Sequence, residues 1–188
     1  MRRAAAALAL AAALSGCASW EAIGPDNAAL REKGYEITLP AGWVRVMYEH
    51  QEVILTRDGV MLQQIALRSV PQAKAFPRLK KPAGEKLLPS ELAELQIAET
   101  KRGSQVESNL DVLENGPWQV GGRTGFRVRL RFVTPRGVPF EQLLYGVCDG
   151  RNYYLLGLQA PGFYYFDASR DDFERMVATF RFAPEQKG

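Results

Sequence analysis

Alternating apolar and polar positions between residues 124 and 160 predict three neighbouring antiparallel strands. In the first strand, large apolar residues alternate with arginines: Phe126, Arg127, Val128, Arg129, Leu130, Arg131 and Phe132. This is the period of a strand. A three-residue loop at 135–137, with Gly137 in the left-handed conformation, leads to a second strand at 138–148. That register pairs Val128 with Leu144 and Arg131 with Glu141.

The third predicted strand follows a turn at Asp149-Gly150, and this turn pairs Tyr145 with Tyr154 and Leu144 with Leu155. One face of the three strands then carries Phe126, Val128, Leu130, Phe132, Phe140, Leu144, Cys148, Tyr153 and Leu155. The opposite face carries Leu143, Tyr145, Val147, Tyr154, Leu156 and Leu158, with the arginines at one side. Because both faces are apolar, each needs a covering layer.

The rest of the chain supplies further strands and two helices. Strands are predicted at 35–39, 43–49, 53–57, 61–70 and 106–113, with a short piece at 118–120 and a tight hairpin at Asp58-Gly59. A helix begins at Pro89 or Ser90 and runs to about Arg102. The last helix begins at Ser169 with a pattern similar to a capping box. We therefore predict an α+β domain, a mainly antiparallel sheet with helices on both faces (an α/β/α sandwich).

The N-terminus has the pattern of an export signal. Two arginines precede a run of Ala and Leu, 4–14, which is too short to span a hydrocarbon core of about 30 Å. The following Leu14-Ser15-Gly16-Cys17 resembles a bacterial lipobox. The resemblance implies cleavage after Gly16 and acylation of Cys17 with diacylglycerol carrying fatty acids such as palmitate. The same resemblance implies sorting to the periplasmic leaflet of the outer membrane, because Ala18 and not Asp follows the cysteine.

These signals divide the chain into four parts. We predict a signal peptide at 1–16, a lipidated flexible tether at 17–33 with a short helix at 27–32, a folded domain at 34–184 and a tail at 185–188. A flexible coil of the tether's length spans roughly 20–25 Å.

Three core segments of the domain resemble the PsbP-like fold. They are Tyr35-x-Ile37-x-Leu39-Pro40-x-Gly42-Trp43, the strand around Tyr154-Leu155-Leu156, and the closing segment 173–182 with Thr179-Phe180. The family is an α/β/α sandwich that includes photosystem extrinsic subunits, a yeast Ran-binding protein and many bacterial lipoproteins. The resemblance implies the fold over 34–184, and it carries over no functional residue, because its members share no catalytic motif.

Charge and reactive residues narrow the function classes. The net charge of +3 is too small to predict a nucleic-acid partner. His50 is the only histidine and is expected in an exposed turn, so a histidine-based metal site or catalytic triad is disfavoured. Cys148 lies on an apolar face and is expected in the core, although a disulfide to another chain stays open. We expect no cofactor, no metal and no catalytic residue.

Three groups of residues are candidates for partner binding. The basic, proline-rich loop at 71–89 contains Lys80 and Lys81. The arginine stripe (Arg127, Arg129 and Arg131) either meets an anionic partner or is a solvated edge paired with residues such as Glu141, and we favour the pairing. The aromatic run Phe163, Tyr164, Tyr165 and Phe166 forms a binding lip or packs the last helix onto the sheet.

Together these features predict a membrane-anchored, periplasm-facing binding or assembly module of the cell envelope, with an envelope protein as partner. The partner surface is expected to join the 71–89 loop to the aromatic run. Two alternatives remain at this stage. One is a carrier or sensor that holds a small apolar ligand between sheet and helix, and the other is a hydrolase that depends on His50 or Cys148. The oligomeric state is not predicted.

Overall fold

The structure is a computed structural model that describes residues 19–32, 34–47, 52–84, 86–103 and 110–183. The predictions for Cys17 and His50 lie outside these residues. The strands are β1 Ser19–Ala22, β2 Ala29–Glu32, β3 Tyr35–Thr38, β4 Val44–Met47, β5 Glu52–Thr56, β6 Gln64–Pro71, β7 Leu110–Val120, β8 Arg123–Val133, β9 Pro139–Cys148, β10 Asn152–Pro161 and β11 Arg181–Phe182. The helices are α1 Pro89–Gly103 and α2 Tyr165–Ala178.

Eight strands form one large sheet in the order β1-β4-β5-β6-β10-β9-β8-β7. A second sheet has three strands in the order β11-β3-β2. Every strand pairing in the described residues is antiparallel. The predicted α+β class with a mainly antiparallel sheet is therefore confirmed.

Helix α1 and the loop before it cover one face of the large sheet. The α1-side core consists of Ala75, Phe76, Ala83, Leu92, Ala93, Ile97, Phe126, Val128, Leu130, Leu144 and Tyr153. Helix α2 and the small sheet cover the other face. The α2-side core includes Leu143, Tyr145, Val147, Tyr154, Leu156 and Leu158 from the large sheet and Phe166, Phe173, Met176 and Val177 from α2. The strand alternation therefore predicted both faces correctly.

The register of β8 against β9 is also as predicted, with Val128 opposite Leu144 and Arg131 opposite Glu141. The register of β9 against β10 was predicted wrongly. Tyr154 lies opposite Val147, and Leu144 lies opposite Gly157. The cause is the turn, in which the Asp149 carboxylate accepts hydrogen bonds from the backbone N–H groups of Arg151 and Asn152, both at 2.7 Å. The error is two residues, which leaves every side chain on its predicted face.

The predicted flexible tether contains two strands. Strand β1 pairs with β4, and β2 lies where a short helix was expected. The turn between them is fixed by Asn27, whose amide donates to the Ala22 carbonyl (2.9 Å) and whose oxygen accepts from Gly24 N–H (2.7 Å). Ile23 and Leu30 are buried. Residues 19–32 are therefore part of the folded domain, because these two side chains anchor them to the α2-side core.

Two further differences from the prediction concern a connection between strands and the length of a strand. The connection between β5 and β6 runs from 57 to 63, longer than a two-residue hairpin, and the Thr56 hydroxyl supports it by donating to the Gln63 carbonyl. Strand β7 continues through Gly116-Pro117 instead of breaking there. This is tolerated because β7 is an edge strand of the large sheet.

Helix α2 begins at Tyr165, four residues before the predicted start. The buried side chain of Phe166 extends the apolar stripe of the helix toward its N-terminus. Asp172, the acidic residue of the capping-box-like pattern that begins at Ser169, consequently lies inside the helix and does not cap it. Its carboxylate accepts a hydrogen bond from Trp43 Nε1 (3.0 Å) and pairs with Arg57. Among the described helices, none is long and apolar enough to span a membrane.

Candidate functional site

The basic loop between β6 and α1 is held firmly against the sheet. Ala75, Phe76 and Ala83 are buried, and the backbones of Phe76 and Lys81 are bridged. Lys80 adopts a left-handed conformation with φ of 55°. Lys80 and Lys81 themselves are exposed. The loop therefore presents its two lysines on the α1 side from a fixed backbone.

The three arginines of β8 lie on the α2 side and are paired with glutamates. Arg129 contacts Glu141 at 2.6 Å, and Arg131 contacts the same carboxylate at 3.0 Å. Arg127 pairs with Glu174 of α2 at 3.0 Å and with Glu114 of β7. Three glutamates thus compensate three arginines, which is the paired arrangement that the sequence favoured over a free anion-binding stripe.

Arg127 also bonds to the buried ring of Tyr145, whose hydroxyl accepts from Nε at 2.9 Å. Burial raises the pKa of the Tyr145 phenol. Burial by itself would lower the pKa of Arg127, but hydrogen bonds to Tyr145 and Glu174 outweigh it and raise that pKa. Arg127 therefore stays charged and the Tyr145 phenol stays neutral at neutral pH.

Sequence reasoning missed Glu114 and Glu174 in this network. Glu114 lies opposite Arg129 in the β7–β8 register. The contact was missed because the predicted strand ended at residue 113. Glu174 is 47 positions from Arg127, and no local pattern predicts that contact.

The aromatic run divides into an exposed half and a packed half. Phe163 is 80% exposed and Tyr164 is 67% exposed. Tyr165 packs against the α2-side core, and Phe166 is 1% exposed within it. Phe166 is therefore a core residue, and its predicted role in partner binding is wrong, because no surface of its ring is available.

The exposed half belongs to a larger apolar tip. Gly162 N–H donates to the Pro139 carbonyl at 3.0 Å, and Pro139 lies opposite Val133 at the end of the β8–β9 hairpin. The side chains of Val133 and Val138 are exposed at this end. We define the apolar tip as Val133, Val138, Phe163 and Tyr164.

The structure does not bring the basic loop and the apolar tip together. The loop leaves β6 at Pro71, which lies opposite Asn152 at the start of β10, whereas the tip follows Pro161 at the end of β10. The loop also packs on the α1 side, and the tip leads into α2 on the other side. The expectation of one joined partner surface is therefore corrected to two separate surfaces.

The remaining candidates give no reactive centre in the part of the chain that is described. Cys148 is half-buried at the margin of the α1-side core, less deeply than expected. No group of three His, Cys, Asp or Glu side chains that could hold a metal ion occurs among the described residues. A cavity does lie between α1 and the sheet, but polar side chains form much of its lining, which does not suit an apolar ligand.

Comparison with known proteins defines the fold. No family model matches the chain, and no curated protein matches it significantly. Among solved structures, a protein from Bacteroides thetaiotaomicron superposes with a TM-score of 0.56 at 12% identity, over 85% of this chain and 50% of the other. The chain thus spans half the length of that protein.

Two further structures match over nearly their whole length. Cyanobacterial PsbP from Synechocystis sp. has a TM-score of 0.51 at 12% identity, over 90% of this chain and 96% of its own. The Ran-binding protein Mog1p of Saccharomyces cerevisiae has a TM-score of 0.50 at 9% identity, over 88% and 95%. The fold is PsbP-like, as the sequence resemblance implied. At such low identity the match shows the fold alone.

Proposed function

We propose that this protein is a lipid-anchored accessory module of the cell envelope, which faces the periplasm and binds an envelope protein without catalysing a reaction. The observation that carries the proposal is the apolar tip. Phe163 and Tyr164 are adjacent and mostly exposed in water. Exposed apolar patches in otherwise well-packed proteins mark interaction sites. Aromatic residues are enriched at the centres of protein interfaces.

Neighbouring charges fit a protein partner at this tip. Arg131 is half-exposed beside it, although its charge is shared with Glu141. Arg136 in the β8–β9 loop and Asp167 in the first turn of α2 are exposed. An apolar centre with a mixed polar rim is the usual composition of a non-obligate protein interface.

The test is photocross-linking in living cells from a reporter residue placed at Val138. We expect a discrete adduct with one envelope protein, and we expect Phe163→Ala combined with Tyr164→Ala to abolish it. The matched control is Leu88→Ala, which removes another exposed apolar side chain (62% exposed) before α1. All three side chains are solvent-exposed, so none of the changes should alter the melting temperature.

The charge reversal of Lys80 and Lys81 is a second control, because the structure places these lysines away from the tip. It should leave the adduct intact. An adduct that survives the double alanine change, or that depends equally on Leu88, would refute docking through the tip.

A further inference from the structure

A cleft of about 310 Å³ opens between α1 and the large sheet. This volume is at the lower end of the range for small-molecule sites, about 300–1,000 Å³. The sheet contributes Gln64, Arg68, Gln142 and Gln159 to the lining, and α1 contributes Gln96 and Glu99. The cleft lies on the α1 side of the large sheet, whereas the arginine network lies on the α2 side.

Three glutamines form a row across the floor of the cleft. Gln159 of β10 lies opposite Gln64 of β6 on one side and Gln142 of β9 on the other. In the next row, the two central positions are Ala66 and Gly157, which lie opposite each other. The cleft exists because these small residues leave the space above them open.

This row departs from the rest of the same sheet face. On β8, the positions under α1 are Phe126, Val128 and Leu130, and all three are fully buried. A sheet face covered by a helix is normally apolar. Polar side chains at such positions cost free energy unless they find hydrogen-bond partners. The three glutamines are half-buried and open to the cleft, so water relieves part of this cost, and the row forms a solvated polar strip beneath α1.

The hydrogen bonds around the cleft are unevenly satisfied. On the α1 wall, Gln96 accepts from the Tyr153 hydroxyl (3.0 Å), and Glu99 accepts from the backbone N–H groups of Arg78 and Leu79 (both 3.0 Å). On the floor, Gln142 Oε1 and Arg68 Nε are buried without a hydrogen-bond partner among the described residues. Elsewhere on the floor, Gln142 Nε2 donates to Gln159 Oε1 (3.4 Å) and Gln64 Nε2 donates to the Val60 carbonyl (2.8 Å). The wall is thus rigidly held, whereas the floor glutamines make few and partly long hydrogen bonds.

The charges in the cleft balance. Arg78 at the rim pairs with Glu99 at 3.5 Å. Arg68 lies opposite Glu52 across the β5–β6 ladder, and both line the cleft. The remaining polar lining is mostly neutral amide, which offers both donors and acceptors. Hydroxyl groups, which also donate and accept, are the natural complement.

We propose that the cleft binds a small, uncharged, polyhydroxylated molecule, namely a neutral mono- or disaccharide. Gln142 and Gln159 provide hydrogen bonds to its hydroxyl groups from the floor, and Arg68 provides a donor at one end. The site is independent of protein docking at the apolar tip.

The binding test uses the full-length chain on an array of neutral, acidic and phosphorylated mono- and disaccharides, followed by calorimetry with the best neutral sugar. We expect neutral sugars to bind, and we expect Gln142→Leu and Gln159→Leu each to weaken the affinity at least tenfold. Gln119→Leu, at an exposed glutamine of β7 outside the cleft, should leave the affinity unchanged. Binding of only acidic or phosphorylated sugars, or of none on the array, overturns the proposal.

A second measurement needs no ligand. Gln142 Oε1 is buried and unpartnered, and Nε2 makes only a long hydrogen bond to Gln159 Oε1 (3.4 Å). Gln142→Leu should therefore raise the melting temperature, because a binding residue is kept at the expense of stability. A lowered melting temperature would show that Gln142 serves packing, and it would overturn the proposal. The cross-link from Val138 should persist in Gln142→Leu. Failure of the sugar-binding proposal can therefore be distinguished from failure of the proposed docking at the apolar tip.

Discussion

Gly146 in β9 lies directly beneath the ring of Phe126 in β8. A Cβ atom at this position would lie 2.2 Å from Phe126 Cε1 and 2.9 Å from the Tyr153 hydroxyl. Both rings are fully buried, so neither has room to withdraw. The close approach of β9 to the Phe126 ring thus requires glycine at position 146. The packing of this part of the α1-side core therefore depends on Gly146.

We predict that Gly146→Ala lowers the free energy of unfolding by about 1–3 kcal/mol, as expected for an overpacked core. Gly116→Ala is the matched control, since a Cβ there meets nothing within 4 Å. Urea denaturation of both variants checks the prediction. Equal stabilities of the two variants would show that the core absorbs the extra methyl group.

Single residues were only partly predictable from the sequence. The Arg131–Glu141 pair followed from the hairpin register, because both partners belong to adjacent strands. The Trp43–Asp172 hydrogen bond joins residues 129 positions apart, and nothing in the local sequence indicates it. A ligand site between sheet and helix was one of the alternatives, but its polar lining was missed, because a glutamine in a strand carries no signal of what lies above it.

At the scale of elements, Glu141 links two arginines of β8 to β9. Its side chain is 7% exposed and contacts Arg129 and Arg131. Arg129 also lies over the ring of Phe166 in α2, with its Cζ atom 5.1 Å from the ring centroid. One buried carboxylate therefore orders the contact between the hairpin and the helix.

We predict that Glu141→Gln destabilises the protein by about 2 kcal/mol, since it removes the charge that compensates two partly buried guanidinium groups. Glu36→Gln is the control, because the Arg31–Glu36 pair is solvent-exposed and should contribute less than about 1 kcal/mol. Thermal unfolding of the two variants measures the difference. A Glu141 effect no larger than the Glu36 effect would contradict this role.

Element prediction succeeded where periodicity was long and failed where it was short. The alternation in β8, β9 and β10 extends over ten or eleven residues in each strand and predicted both faces. Strands β1 and β2 have four residues each, too few for the period to stand out from a polar segment. The start of α2 was missed because Tyr164, its N-terminal flanking residue, makes no side-chain cap.

At the scale of the whole molecule, the proposed anchor at Cys17 decides where the domain works. We predict that a fatty-acid label is incorporated into the wild-type protein and into Cys148→Ala, the matched cysteine control, but not into Cys17→Ala. A chain with a cleavable, non-lipid export signal placed before Ala18 should be recovered in the soluble periplasm. Label on Cys17→Ala, or membrane retention of the non-lipid chain, would argue against the anchor.

Strand β1 changes what such an anchor does mechanically. Only Ala18 separates Cys17 from the first residue of β1. Two residue steps reach at most about 7 Å, against the roughly 20–25 Å expected of a coil of 17 residues. A domain attached so closely has little rotational freedom above the bilayer. The lipid would therefore hold the domain at a nearly fixed distance from the membrane surface. The protein would then find its partner by lateral diffusion in the plane of the membrane. The apolar tip and the cleft would each lie within a limited range of heights above the bilayer.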